Sequence, residues 1–122
     1  NLLYKDKNNK FNSPAFNFDE VVTIPSEAIH LASNKINNIQ ALYFRSGISE
    51  ICALQYHPEI TYEKMISIIK FRKEILINKR KRFNNNEEVE KHINFIEDEI
   101  KISKINSRML ELRNWLNNLK LN

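Results

Sequence analysis

Glycine is nearly absent from this chain. Its 122 residues include one glycine, Gly47. Loops that cradle phosphate groups and sharp turns that carry catalytic nucleophiles need several positions with positive φ or close backbone approach, which glycine supplies. The sequence therefore excludes a dinucleotide-binding fingerprint, a P-loop and a G-x-C-x-G nucleophile elbow within these residues.

Length and cysteine content indicate the class of protein. A chain of this length, 42% hydrophobic and 28% charged, normally forms one domain with its own core. Its one cysteine, Cys52, excludes an internal disulfide and favours a reducing compartment, so we expect a cytoplasmic protein. No stretch approaches the ~18 apolar residues of a membrane span, and we expect no membrane partner. The chain begins with Asn1 rather than Met, and we expect a fragment of a longer protein.

The first half of the chain has the pattern of strands. Short runs rich in Ile, Val and aromatic residues are separated by turn-forming residues, and Ser46-Gly47 fits a hairpin turn. The run from Ile51 to Leu54 is apolar on both faces, which is typical of a strand covered on both sides in an α/β sheet. We predict four short strands, over residues 15–23, 29–33, 40–44 and 51–56.

The second half has the pattern of helices. One helix is predicted from Tyr62 to about Asn78, with Thr61 as its N-cap and an apolar stripe of Tyr62, Met65, Ile66, Ile69 and Leu76. A second begins after Asn85 or Asn86, where Asn85 and Glu88 resemble a capping box. Its stripe consists of Val89, Ile93, Ile96 and Ile100.

A third apolar stripe follows the second without an obvious break. The two segments form either a hairpin that breaks near Ser103 or one long bent helix. We expect the stripe to pack on the chain's own domain or in a homo-oligomer, and it contains no ligand residues for a cofactor. It consists of Ile105, Met109, Leu112, Leu116 and Leu119.

The basic residues lie mostly in the second half. Residues 62–122 carry 14 Lys and Arg against 9 Asp and Glu, and Lys79-Arg80-Lys81-Arg82 is the one dense basic run. One interpretation is a patch that contacts phosphates of a nucleic acid. The other is a solvated segment between helices. Because Phe71 and Phe83 are the only nearby aromatic residues, we favour the solvated segment and expect no nucleic-acid partner.

Chemistry is concentrated in His57-Pro58-Glu59. Two residues apart in extended chain, His57 and Glu59 project to the same side, and Pro58 restricts the backbone between them. A carboxylate that orients an imidazole is the arrangement of a general base. The tripeptide alone is more typical of a turn that ends a strand. His30 and His92 belong to no cluster with metal-ligand spacing, so we predict no metal.

The wider context of this tripeptide is more specific. Val22-Thr23-Ile24-Pro25, Ala28, Leu31-Ala32-Ser33, Ile39-Gln40-Ala41 and Leu54-Gln55-Tyr56-His57-Pro58-Glu59 follow one another at characteristic intervals. In order and spacing they resemble the C-terminal half of class I glutamine amidotransferases, especially the GMP-synthase-like branch. The resemblance covers Ala15 to about Thr61.

The resemblance implies the C-terminal part of a flavodoxin-like α/β domain that hydrolyses glutamine with a Cys-His-Glu triad. His57 is then the general base and Glu59 its orienting partner. Residues 1–78 are expected to form the partial amidotransferase domain, and residues 79–122 a helical extension. Glutamine is the implied substrate, and a synthase partner accepts the ammonia. No cofactor is implied.

Two departures from the family bear on activity. The nucleophile elbow and the glycine-rich oxyanion loop are missing, and Cys52 lies five residues before His57, about 16 Å along an extended strand. We therefore expect this chain to be inactive alone. Many members of the family have a histidine shortly before an acidic residue at the place of Phe16-Asn17-Phe18-Asp19-Glu20. Here Asn17 or Phe18 replaces that histidine, or the loop is shortened. The alternative hypothesis is a non-catalytic protein that uses its helices for interaction or dimerisation.

Overall fold

The computed structural model describes residues 2–119, which form a mixed α/β structure in two compact units. The first unit is Lys10–His57, and the second joins Leu2–Asn9 to the chain from Pro58 onward. The units therefore meet in sequence at His57 and Pro58. The predicted end of the partial amidotransferase domain at residue 78 is a different boundary, and it stays a prediction.

A three-stranded antiparallel sheet forms the first unit. Its strands β1 (Ile29–Ala32), β2 (Ala41–Ser46) and β3 (Ser49–Leu54) lie in chain order. The hairpin between β2 and β3 has the two-residue loop Gly47-Ile48, closed by the pair Ser46 and Ser49. Gly47 has φ 60°, which glycine adopts without steric strain, and glycine in the first loop position is characteristic of a type II′ turn. The predicted hairpin is confirmed.

The prediction of a strand over residues 15–23 is wrong. That segment runs as irregular chain with a bend at residues 18–19. Phe18 and Val22 are exposed, whereas Ala15, Phe16 and Val21 are half-buried without pairing to any described strand. The sheet therefore has three of the four predicted strands.

The prediction that β3 is covered on both faces is also wrong. β3 is at one end of the strand order, Ala53 is exposed, and Ile51 and Cys52 are only half-buried. An apolar run of four residues does not distinguish a central strand from the last strand of a short antiparallel sheet.

Two helices form the core of the second unit. They are α1 (Tyr62–Phe71) and α2 (Asn86–Ile102), and a π-helix over Ile75–Lys79 lies between them. The predicted apolar stripes supply the contact between α1 and α2. The buried residues are Tyr62, Ile66, Ile69, Val89, Ile93 and Ile96.

Both predicted N-caps are present. The Thr61 Oγ1 accepts a hydrogen bond from the backbone N–H of Lys64 at 3.1 Å. The Asn85 Oδ1 accepts from the N–H of Glu88 at 3.0 Å. The Glu88 carboxylate accepts the N–H of Asn84 at 2.8 Å, one residue earlier than in a standard capping box.

The chain breaks at Ser103, which has extended backbone after α2. Two further helices follow, α3 (Ile105–Arg108) and α4 (Leu110–Leu119), so the single long helix is excluded. The amino-terminal segment lies against α4. There the Asn114 side-chain amide donates hydrogen bonds to the carbonyls of Leu3 and Lys5, at 3.0 and 2.9 Å. Among residues 2–119, no helix is long and apolar enough to cross a membrane.

Candidate functional site

His57 lies three residues beyond the end of β3 and its backbone is held on both sides. Its N–H donates to the carbonyl of Pro14 at 2.7 Å, and the N–H of Gln55 donates to the carbonyl of Gln40 at 2.8 Å. Between them Tyr56 is buried, and the centroid of its ring lies 5.6 Å from that of Phe11 in an edge-to-face arrangement. These contacts hold the backbone that carries the His57 imidazole in one position relative to the sheet.

The imidazole of His57 is half-buried beside an aromatic ring. The centroid of Phe16 lies 6.1 Å from that of His57, with the rings inclined at 52°. Phe16 begins the segment in which the sequence departs from the amidotransferase pattern. That segment therefore lies at His57, while the side chains of Phe18, Asp19 and Glu20 in it are exposed.

Glu59 is exposed and precedes the N-cap of α1 by two residues, after the buried Pro58. It belongs to the second compact unit, whereas His57 is the last residue of the first. The catalytic pairing of His57 and Glu59 stays a prediction.

Gln40 is a polar residue that the sequence did not mark as functional. It is buried, and its side-chain Nε2 has no hydrogen-bond partner among the described residues. Buried donors in folded proteins are nearly always paired with protein or with water. The Gln40 amide is therefore a donor available to a bound water or ligand inside the first unit. The signal in the sequence was a glutamine between Ile39 and Ala41, in an otherwise apolar run.

Cys52 does not have the environment of a nucleophile. It is half-buried in β3, opposite Tyr43 of β2. Burial, followed by the negative charge of Glu50, raises the pKa of the Cys52 thiol. Reactive cysteines have the opposite shift, since the thiolate is the attacking form.

The other two histidines have structural surroundings. His30 is exposed on β1, and its Nε2 lies 2.8 Å from the carbonyl of Ala32, so the hydrogen bond requires the Nε2–H tautomer. His92 is half-buried between the rings of Phe83 and Phe95, at 5.5 and 6.3 Å. Within residues 2–119, no group of three or more His, Cys, Asp or Glu side chains is arranged to hold a metal ion.

Comparison with known proteins assigns no class to this arrangement. No protein-family model, curated protein or solved structure matches the chain.

Proposed function

We propose that this chain is the C-terminal part of a class I glutamine amidotransferase with a flavodoxin-like domain. The proposal rests on the separated sequence anchors that end in His57-Pro58-Glu59. The observation that supports it best is the position of His57, three residues beyond the end of β3, with its N–H donated to the carbonyl of Pro14. The amidotransferase pattern likewise places its histidine at the end of a strand.

In this proposal His57 is the general base. Its imidazole takes the proton of a cysteine thiol, and the thiolate attacks the side-chain carbonyl carbon of glutamine. The imidazolium returns the proton as the carbon–nitrogen bond breaks, which releases ammonia and leaves a thioester. Water, activated by the same imidazole, then hydrolyses the thioester to glutamate. Glu59 holds the imidazole tautomer and stabilises the imidazolium.

The cysteine must come from a segment outside this sequence. Cys52 is unsuitable because its thiol pKa is raised and because it belongs to the strand that leads to His57. The acceptor of the ammonia is a synthase domain or partner. The lone cysteine supports a reducing, cytoplasmic location.

The test begins with the coding region upstream of Asn1, which should encode a glycine-rich segment with a G-x-C-x-G elbow. The extended protein should release glutamate from glutamine, and the present chain should release none. In the extended protein, His57→Ala should lower the rate by about 10²–10⁴-fold, whereas the matched variant His30→Ala should leave it unchanged. Glutaminase activity of the present chain that depends on Cys52, or an unaffected rate in His57→Ala, would overturn the proposal.

A second candidate function is self-association through α4. Ile105, Leu116 and Leu119 of the predicted third stripe are 51%, 51% and 55% exposed among the described residues, and the neighbouring Trp115 is 41% exposed. We propose a second copy of the chain as the occupant of this stripe. Light scattering should then show a dimer that Leu116→Lys converts to a monomer, while Ile48→Lys on the hairpin leaves the dimer intact. A monomeric wild-type chain would exclude this function.

A further inference from the structure

The region from Lys64 to Arg82 concentrates positive charge. It contains eight Lys and Arg residues and one acidic residue, Glu74, in a chain whose net charge is +4. The side chains of Lys79, Arg80, Lys81 and Arg82 are all exposed. We call residues 64–82 the basic segment.

The backbone of the basic run is ordered. The N–H of Arg80 donates to the carbonyl of Ile75 at 2.8 Å, and that of Arg82 donates to Leu76 at 2.9 Å. Lys81, at φ 52°, has the left-handed conformation that ends the π-helix. Cations at a helix C-terminus also interact favourably with the helix dipole.

The basic segment also contains an exposed aromatic ring. Phe71, at the end of α1, is 90% exposed, and the exposed Lys70 and Arg72 flank it in sequence. Burial in a core does not explain this ring. Exposed aromatic side chains within a basic surface are the elements that bind single-stranded nucleic acids, where the ring stacks on a base and the cations contact phosphates.

We propose that the basic segment binds single-stranded nucleic acid, with Phe71 stacked on an unpaired base and the run Lys79–Arg82 on the phosphates. A duplex suits this surface less well because its bases stack on one another. A membrane surface also suits it less well, since the apolar face of α1 is buried against α2 and is not available for insertion. The proposal is independent of the amidotransferase assignment, and it replaces the expectation from the sequence that the basic run is a solvated segment without a nucleic-acid partner.

Fluorescence anisotropy with a labelled 20-nucleotide single-stranded RNA tests the proposal on the complete chain. Binding should weaken with salt, and a plot of log K against log salt concentration should have a slope of about −0.7 per phosphate contacted. Replacing all four residues of the run with Gln should make that slope less steep by up to about 3. The matched control replaces Lys5, Lys10, Lys35 and Lys104 with Gln, which changes the net charge equally at exposed positions and should leave the slope nearly unchanged.

Phe71→Ala tests the stacking contact separately. It should weaken binding about tenfold at constant salt slope, because stacking is not ionic. Phe18→Ala, at an exposed phenylalanine of the first unit, should have no effect. Circular dichroism of each variant should match the wild type.

Several outcomes would overturn the proposal. These are no binding to the RNA at low salt, equal loss of binding in the two four-residue variants, and unchanged affinity in Phe71→Ala. Tighter binding to the matching duplex, or to vesicles with anionic lipid, would assign the segment to that other partner instead.

Discussion

Lys7 and Glu111 form a buried ion pair between the amino-terminal segment and α4. The Lys7 Nζ lies 2.7 Å from a carboxylate oxygen of Glu111, and their side chains are 4% and 0% exposed. The same ammonium donates to the carbonyls of Ser107 and Arg108, each at 3.3 Å, at the end of α3. One cation thus joins three parts of the second unit.

Glu111→Gln should destabilise the protein because it leaves the Lys7 ammonium buried without its countercharge. Removal of one partner from a buried pair typically lowers the free energy of unfolding by about 3–5 kcal/mol. Urea denaturation followed by the fluorescence of Trp115, the single tryptophan, reports on α4 directly.

Two further variants distinguish the effect of breaking the buried ion pair from the effect of removing one negative charge. Glu97→Gln, at an exposed acid of α2, should change the free energy of unfolding by less than about 0.5 kcal/mol. The double variant Lys7→Met with Glu111→Leu should be much more stable than Glu111→Gln, since no charge is then buried. Equal midpoints for Glu111→Gln and Glu97→Gln would contradict a buried pair.

Asn85→Ala should destabilise α2. The Asn85 Oδ1 accepts the N–H of Glu88, which otherwise has no partner within the helix. The expected loss is about 1 kcal/mol in the free energy of unfolding, measured by thermal or urea denaturation. Asn86→Ala, at the first helical residue, should have little effect, and a comparable loss in both variants would indicate that the cap contributes nothing.

Local rules account for the parts of the fold that the sequence predicts. Thr61 and Asn85 are polar residues just before apolar stripes, and Gly47, the single glycine, suits the positive φ of a tight hairpin. Each of these features depends on residues within about four positions. The predicted stripes of α1 and α2 became the core for the same reason, because helical periodicity places them on one face.

Long-range contacts account for most of what the sequence did not predict. Lys7 and Glu111 are 104 positions apart, and neither has a local pattern that indicates burial. The segment 15–23 has apolar residues but no sheet position to occupy. At the candidate site, the location of His57 after a strand was predicted, whereas its contact with Phe16 depends on tertiary packing. So does the burial of the Gln40 Nε2, which has no hydrogen-bond partner in the described part of the chain.

His92 should make stability depend on pH. Burial lowers the pKa of His92 below its usual value of 6.5. The unfolded state therefore binds the proton more readily, so this contribution to stability is complete above about pH 6.5 and is lost as the pH falls through the folded-state pKa. In His92→Phe, which keeps a ring between Phe83 and Phe95, the decrease in urea midpoint between pH 7.5 and 5 should be smaller than in the wild type. An identical decrease in both proteins would show that other groups cause it.

Cys52 should react slowly with iodoacetamide. Because burial and the charge of Glu50 raise the pKa of its thiol, the thiolate is scarcer at pH 8 than in an unfolded chain. Mass spectrometry should show slower alkylation of the native protein than of the same protein in urea at that pH, corrected for the effect of urea on a free thiol. Faster alkylation in the native state would identify Cys52 as an activated cysteine. A nucleophile from outside this sequence would then not be needed.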